Sequence, residues 1–435
     1  VTMGTASLLV NNDKPSVDEF LLEPRPRALR LGLPTFMMAA VAALSVYDPG
    51  TAGTYGLYVA AAAVTLSRPG RLRIDAPLML GLALILFAAA SSLWSEFPDA
   101  SIGAARNYAV VVVIFIAVRH VIQTLQQLRT VAVGYIAGCA VLVFRVWNEN
   151  ATQVTTLEGS RLDLVGLNVN YAGYAFVGGF AMIALLWATK RRTPGRRLWL
   201  TAAAASIILG IVLSDTRGAL IGLGLMIMWL LMCWAAKTPP IRMLVAAAIA
   251  AAAAITTGAI DTASLAFESV FGRATGDWSG RLIIWPIARD FWVSEDKFWV
   301  GSGASTFQLS NAYGIGAHNF ILEIGTGMGI VGVLVYVAVL WTSLGKRSAG
   351  TDPRARILMG CFIAASALSY LTGYWDHSPA AWIGVAVFSR LGLLDKDPDA
   401  QWSAPGPKAE ETKQTRAARK WLDGVDGKRP RVRNP

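Results

Sequence analysis

Gly316-Ala317-His318-Asn319-Phe320-Ile321-Leu322-Glu323-Ile324-Gly325-Thr326-Gly327-Met328-Gly329-Ile330-Val331-Gly332 carries the chain from a polar, glycine-bearing loop into a long apolar run. Crossing the hydrocarbon core of a bilayer takes about 20 mainly apolar residues in helical form. The run that begins here continues to residue 343, so it predicts one membrane-spanning helix over 317–343. Two ionisable residues, His318 and Glu323, stand at or just inside the mouth of that helix. Ionisable groups are costly in lipid, and at such a position they mark functional candidates. His318 is also one of three histidines in the chain. A histidine satisfied at a helix N-terminus in the membrane interface is the plain alternative, and position alone does not choose between the two.

Runs of the same kind recur outward from this stretch, between residues 31 and 394. The 435 residues are 54% hydrophobic and 15% charged, with a mean hydropathy of +0.47. A soluble domain carries about 25% charged residues. The expectation is an all-α fold, a polytopic transmembrane helical bundle of about 12 spans. The spans lie near 31–47, 52–67, 76–93, 104–119, 128–147, 165–188, 198–213, 218–236, 241–260, 317–343, 356–374 and 378–394. Residues 1–30 read as a cytoplasmic segment, too polar for a signal peptide because of Asn11, Asn12, Asp13, Asp18, Glu19 and Glu23. The transmembrane domain is 31–394 and contains one large outer loop, 261–316; residues 395–435 read as a disordered cytoplasmic tail. Cys139, Cys233 and Cys361 all fall in apolar runs and read as small core residues.

The net charge of +11 resides in short loops between apolar runs, which argues for topology signals and against nucleic acid as a partner. Arg68, Arg71 and Arg73, then Arg119 and Arg129, then Lys190 to Arg197, then Lys237 and Arg242, then Lys346 to Arg356 mark one side. The loops near Asp48, Ser95 and Asp376 have no Lys or Arg. This alternation predicts both termini in the cytoplasm and the His318 end of its helix on the outer face.

Several outer-face residues then become candidates. Ser214-Asp215-Thr216-Arg217-Gly218 joins two spans with almost no loop. Arg217 has the paired donors that hold phosphate, and an Asp215–Arg217 pair capping a tight turn is the alternative. In the large loop, the pattern from Arg281 to Val293 fits an amphipathic helix, with Ile284, Ala288 and Trp292 on one face. Arg281 and Arg289, eight apart, are expected to share a face and to complete an anion site with Arg217. Trp278, Trp285, Trp292 and Trp299 recur every seven residues, as suits a helix lying at headgroup level. Arg161, then Asn168, Asn170 and Tyr171, flank another span, and Asp376 and His377 tip the last outer turn. Arg106 and Arg145 fall inside spans and are expected to face the bundle interior. Gly325, Gly329 and Gly332 are expected to let another helix cross closely.

The one Asp-x-Asp, Asp397-Pro398-Asp399, is in the tail, and neither a Walker-type phosphate loop nor a Cys/His metal cluster occurs. No metal and no cofactor are expected. One histidine among several arginines, facing a compartment without nucleotides, points to an activated donor carried in the membrane, and a lipid-linked diphosphate fits.

These residues resemble the O-antigen ligase and polymerase superfamily of bacterial envelope glycosyltransferases. The matching elements are Trp94-Ser95, Asn170, Ser214-Asp215-Thr216-Arg217-Gly218, Arg281 with Trp285, Gly301-Ser302-Gly303, and His318 with ten residues before Gly329. They span about 90–395 in order and on one membrane face, and that ordered set is more specific than any one motif. Trp285 stands where the ligase loop has Leu, four residues after the arginine. The resemblance implies metal-independent glycosyl transfer on the outer leaflet of the bacterial inner membrane, in a site facing the periplasm. The donor would be a glycan on undecaprenyl diphosphate, and the acceptor a hydroxyl on lipid A-core (ligase) or on another lipid-linked repeat unit (polymerase). His318 would be the catalytic base, and Arg217 and Arg281 would bind the diphosphate. Arg161, Arg289, Glu323, Asn170 and Asp215 are the supporting candidates. A lipid-linked glycan transporter or flippase is the competing class; it predicts repeat symmetry and broken helices, and the sequence suggests neither.

Overall fold

A helix that begins at a membrane surface must satisfy its first N–H groups, and this chain repeats one solution. Asp48-Pro49, Asp352-Pro353 and Ser378-Pro379 each place a capping side chain before a proline that needs no partner. Asp75, with Pro77 close behind, does the same. The computed structural model describes residues 32–67, 74–153, 168–189, 193–214, 216–235, 281–345, 352–373 and 376–396. Within them run α1 (Leu33–Tyr47), α2 (Pro49–Leu66), α3 (Ala76–Ala90), α4 (Pro98–Val121), α5 (Leu125–Gln153), α6 (Val169–Thr189), α7 (Pro194–Leu213) and α8 (Arg217–Ala235). After them come α9 (Arg281–Val293), the single turn α10 (Phe307–Ser310), α11 (Phe320–Leu344), α12 (Pro353–Thr372) and α13 (Pro379–Phe388). The fold is all-helical among the described residues. The expected run 241–260 and the loop up to residue 280 lie outside them.

Among the described residues seven helical runs (α3 continued to Leu93, α4, α5, α6, α7, α11 and α12) have the length and apolar composition of a membrane span, although α11 is broken at Gly329 into two shorter arms. Small residues set their spacing. A Cβ on Gly134 or Gly138 of α5 would strike the backbone of Ala39 or Ala43 of α1, so these two helices cross almost in backbone contact. Several basic residues gather at one end of the bundle. There Arg119 pairs with Asp75 at 2.9 Å, Arg390 donates to the Ile122 carbonyl, Arg354 to that of Ala188 and Arg196 to that of Leu186. Asp48, Tyr171, Thr216 and Asp376 lie toward the other end.

α11 is not the single rod expected over 317–343. Gly329 breaks it, with φ 63° and ψ −169°. Along an unbroken helix Phe320 and Tyr336 would stand about 24 Å apart, at 1.5 Å per residue. Their ring centroids are 5.8 Å apart. The chain therefore folds back at Gly329 into two arms, 320–328 and 330–344, and Ile324 and Met328 of the first arm face Gly332 of the second. Backbone groups freed at the tip are satisfied by the segment before it. Ile330 and Val331 donate to the carbonyls of Phe298 and Trp299 (2.9 and 3.3 Å), and Ser302 and Gly303 donate to those of Thr326 and Gly327 (2.9 Å each). Irregular backbone at membrane depth persists where protein buries it in this way. A Cβ on Gly329 would strike the Trp299 carbonyl and one on Gly301 the Gly327 backbone, so both positions require glycine. Gly303 presses on Ser95, and Ala304 donates to Ser91 Oγ at 3.0 Å, which fixes the tip to the α3–α4 turn.

Two expectations change. The glycines after His318 serve a hairpin rather than a crossing helix: Gly325 receives the Trp292 ring of α9, Gly329 turns the chain, and Gly332 receives the first arm. A broken helix, expected to be absent, is present.

Candidate functional site

The hairpin sets the start of its first arm, just after His318, beside the second arm, where the Phe320 ring lies 5.8 Å from that of Tyr336. His318 precedes the N-cap, Asn319, whose side chain accepts from the N–H groups of Ile321 (3.0 Å) and Leu322 (3.3 Å). His318 has φ 52°, a left-handed conformation uncommon for a residue with a Cβ. The preceding residue shows what holds it there. Glu323 Oε2 accepts the Ala317 N–H at 2.8 Å, and the Trp285 indole N–H donates to the Ala317 carbonyl at 2.8 Å. Ala317 is fully buried and Glu323 is 9% exposed, so both bonds are shielded from water.

His318 itself is half-buried. Burial, and then the positive charge of Arg281, lower its imidazole pKa to about 4. At neutral pH the ring is therefore uncharged and able to accept a proton. Asn319 also opens the first arm of the hairpin, whose positive end favours an anion and a neutral imidazole alike. Arg281 opens α9, which reaches the site because Ile284 and Ala288 are buried against Phe307 and Ala317.

The other expected residues divide. Arg289 points away: it is 65% exposed and pairs with Asp290 at 2.7 Å. Eight residues at about 100° each leave Arg281 and Arg289 about 80° apart, so they do not share a face. The tryptophans also differ from the headgroup reading. Trp285 and Trp292 are half-buried and bond to the carbonyls of Ala317 and Phe298, while Trp299, beyond the helix, is 65% exposed. Trp278 lies outside the described residues. Arg217 opens α8 and is half-buried; among the described residues no hydrogen bond or ion pair joins it to His318 or Arg281. Thr216 beside it packs on Gly173 and donates to the Val169 carbonyl, which sets α8 against α6. Asn170 is in the first turn of α6, its N–H bonded to Asn168 at 2.8 Å. Asp215 and Arg161 lie outside the described residues. Arg145 pairs with Glu149 at 2.9 Å and stacks over Tyr47, a structural role. Arg106, expected to face the interior, is exposed on α4.

Sequence reasoning noted Asp376 and His377 but gave them no place in the site. Asp376 is 2% exposed; it accepts from Tyr108 at 2.8 Å and stands 3.3 Å from His377 Nδ1. Its carbonyl accepts from Tyr336 at 3.0 Å and from Trp382 at 2.6 Å. Burial disfavours the charge of Asp376, yet His377 and Tyr108 hold its carboxyl below the ordinary value. Burial likewise disfavours a charged His377, and Asp376 outweighs it and holds the imidazole above its ordinary value. Both residues lie within electrostatic range of Glu323. An Asp-His dipeptide in the last outer turn was the available signal.

Residues 202–337 match the family model described as O-antigen ligase, and this supports the O-antigen ligase superfamily. The matched stretch, less than half the chain, contains Arg217, Arg281 and His318. No curated protein matches the chain. The apolar helices and this match together indicate a multi-pass membrane protein.

Proposed function

We propose that this chain, with the O-antigen ligase match across its centre, is a metal-independent membrane glycosyltransferase. It moves a glycan from undecaprenyl diphosphate to an acceptor hydroxyl, on the periplasmic face of the inner membrane, with both termini cytoplasmic. The observation that supports this reading is His318, set near Arg281 at the mouth of the hairpin by the clamped Ala317 peptide, where burial favours its neutral form. His318 accepts the proton of the acceptor hydroxyl as its oxygen attacks the anomeric carbon. The bond from that carbon to the diphosphate oxygen breaks, and undecaprenyl diphosphate leaves with the electron pair. Arg281 and Arg217 hold the diphosphate and meet the charge that develops on it. Because the leaving group is already good, proton acceptance and charge stabilisation are the main demands on the protein. Glu323 acts through the loop that bears His318.

The ligase reading, with lipid A-core as acceptor, is preferred because one large outer loop is expected; a polymerase would join lipid-linked repeat units. Transport is the reading of another class, and the break at Gly329 is the observation in its favour. One experiment separates the three. The purified protein in nanodiscs receives an undecaprenyl-diphosphate-linked repeat unit, with and without lipid A-core, and products are resolved by mass. Glycan on lipid A-core identifies a ligase, and a ladder of longer lipid-linked glycans a polymerase. An unchanged donor mass in every reaction would overturn the transferase reading.

A further inference from the structure

Among the described residues two carboxylic acids are buried, Glu323 and Asp376, and each is tied to one arm of the hairpin. Glu323 belongs to the first arm. Asp376 holds the second. Its carbonyl accepts from the Tyr336 hydroxyl at 3.0 Å, and the Tyr336 ring lies 5.8 Å from that of Phe320, two residues after His318. The same carbonyl accepts the Trp382 indole N–H at 2.6 Å, and the carboxyl Oδ2 accepts from Tyr108 at 2.8 Å. Asp376 thus joins α4, α13 and the hairpin through buried bonds.

A buried carboxylate needs a counter-charge. The other carboxyl oxygen, Oδ1, stands 3.3 Å from His377 Nδ1. The two partners differ in access: the Asp376 side chain is 2% exposed and that of His377 is 38% exposed. His377 also lines a cavity of about 470 Å³, whose wall includes Arg106, Asn107 and Tyr171. The charged and titratable groups that face His377 are therefore Asp376 beside it, Glu323 of the hairpin, Arg106 of α4 and Tyr171 of α6. Burial opposes the charged imidazole, and Asp376, with Glu323 adding to its effect, outweighs burial and raises the histidine above its ordinary value. The charged pair is thus present at pH 6.5 and is lost as the pH rises through that raised value. Once His377 is neutral, Asp376 must take up a proton or turn toward water. Either outcome alters the turn whose carbonyl holds Tyr336.

We propose that His377 is a positioning residue for glycosyl transfer: its charge fixes Asp376 and, through Tyr336, the hairpin that sets His318. The inference rests on the transfer reading above and adds to it a control by the pH at the His377 cavity.

Wild type, His377→Gln and His377→Lys in nanodiscs test it. The kcat and KM for transfer are followed from pH 6 to 9, and hydrogen exchange of peptides covering residues 318–336 is followed at pH 6.5. The wild-type kcat should fall about tenfold along an alkaline limb above pH 6.5, while KM holds. His377→Gln should show the lowered kcat at every pH, with faster exchange in the hairpin. His377→Lys keeps a cation through pH 9, so its kcat should exceed that of His377→Gln and show no alkaline limb. A wild-type kcat in folded His377→Gln, an alkaline limb that persists in it, or no such limb in the wild type would overturn the proposal. If none of the three proteins transfers glycan, the transfer reading fails and exchange alone decides the link from His377 to the hairpin: faster exchange in His377→Gln supports it, and unchanged exchange refutes it. Should His377→Gln not fold, the comparison of wild type with His377→Lys decides: a limb confined to the wild type supports the proposal, and a limb shared by both overturns it.

Discussion

Replacing Glu323 tests whether the loop before α11 positions His318. A Glu323 carboxyl oxygen accepts the buried Ala317 N–H at 2.8 Å, one residue before a histidine held at φ 52°. Leaving a buried N–H without its acceptor costs about 1–3 kcal/mol. Glu323→Ala leaves the N–H without its acceptor and frees the left-handed residue to relax. At about 1.4 kcal/mol per tenfold, the loss in kcat should be about 10–100-fold. Glu323→Gln keeps an acceptor oxygen in the same place, so it should cost less than the Ala variant, at most about fivefold. The donor KM should hardly move in either variant, because the arginines are untouched. The assay is initial-rate transfer in nanodiscs with kcat and KM resolved, beside a melting curve. A folded Glu323→Ala protein with wild-type kcat, or a Gln variant as impaired as the Ala variant, would refute the positioning argument.

Trp285→Phe keeps the ring and removes the indole donor to the Ala317 carbonyl, so kcat should fall about 3–10-fold for the loss of one neutral hydrogen bond; an unchanged kcat would remove Trp285 from the clamp. Gly329→Ala combines a φ open almost only to glycine with a clash against the Trp299 carbonyl, and should destabilise the protein by about 3 kcal/mol or more, read as lost yield and a lowered melting temperature. Because His318 stays neutral down to about pH 4, kcat/KM should hold between pH 6.5 and 5 and fall only near 4. The folded protein binds fewer protons than the unfolded chain between its lowered value and 6.5, so this group also costs stability as pH drops through that window. Arg281→Gln should move the acid limb upward, toward 6.5, which a pH–rate profile reads directly. Arg217→Lys should lower transfer sharply, since lysine lacks the bidentate fork; full activity would remove Arg217 from diphosphate binding.

Most helix positions were legible because a spanning run of apolar residues has few alternatives. The place of His318 just before a helix and of Arg281 at the start of one was legible as well, because both are local patterns visible in one dimension. The fold-back at Gly329 was not, because a glycine that turns the chain and a glycine that admits a neighbouring helix look alike in sequence. Only the 5.8 Å approach of Phe320 to Tyr336 separates the two. The role of Trp285 was hidden for a related reason. Its seven-residue spacing fits a headgroup-facing helix, and the carbonyl that receives its indole lies 32 residues away. Arg289 misled through periodicity, since a spacing of eight drifts about 80° from a shared face. The Asp376 network joins residues up to 268 positions apart, which no local pattern reveals.

The central claim is that His318 takes the acceptor proton during glycosyl transfer. Its most direct measurement is the release of undecaprenyl diphosphate with glycan transfer by purified wild-type and His318→Gln proteins, in nanodiscs with a metal chelator present. The account predicts one undecaprenyl diphosphate released per glycan transferred by the wild type. It also predicts a loss of roughly 10²–10⁴-fold in the folded variant. A folded His318→Gln protein that transfers glycan at near the wild-type rate would contradict it.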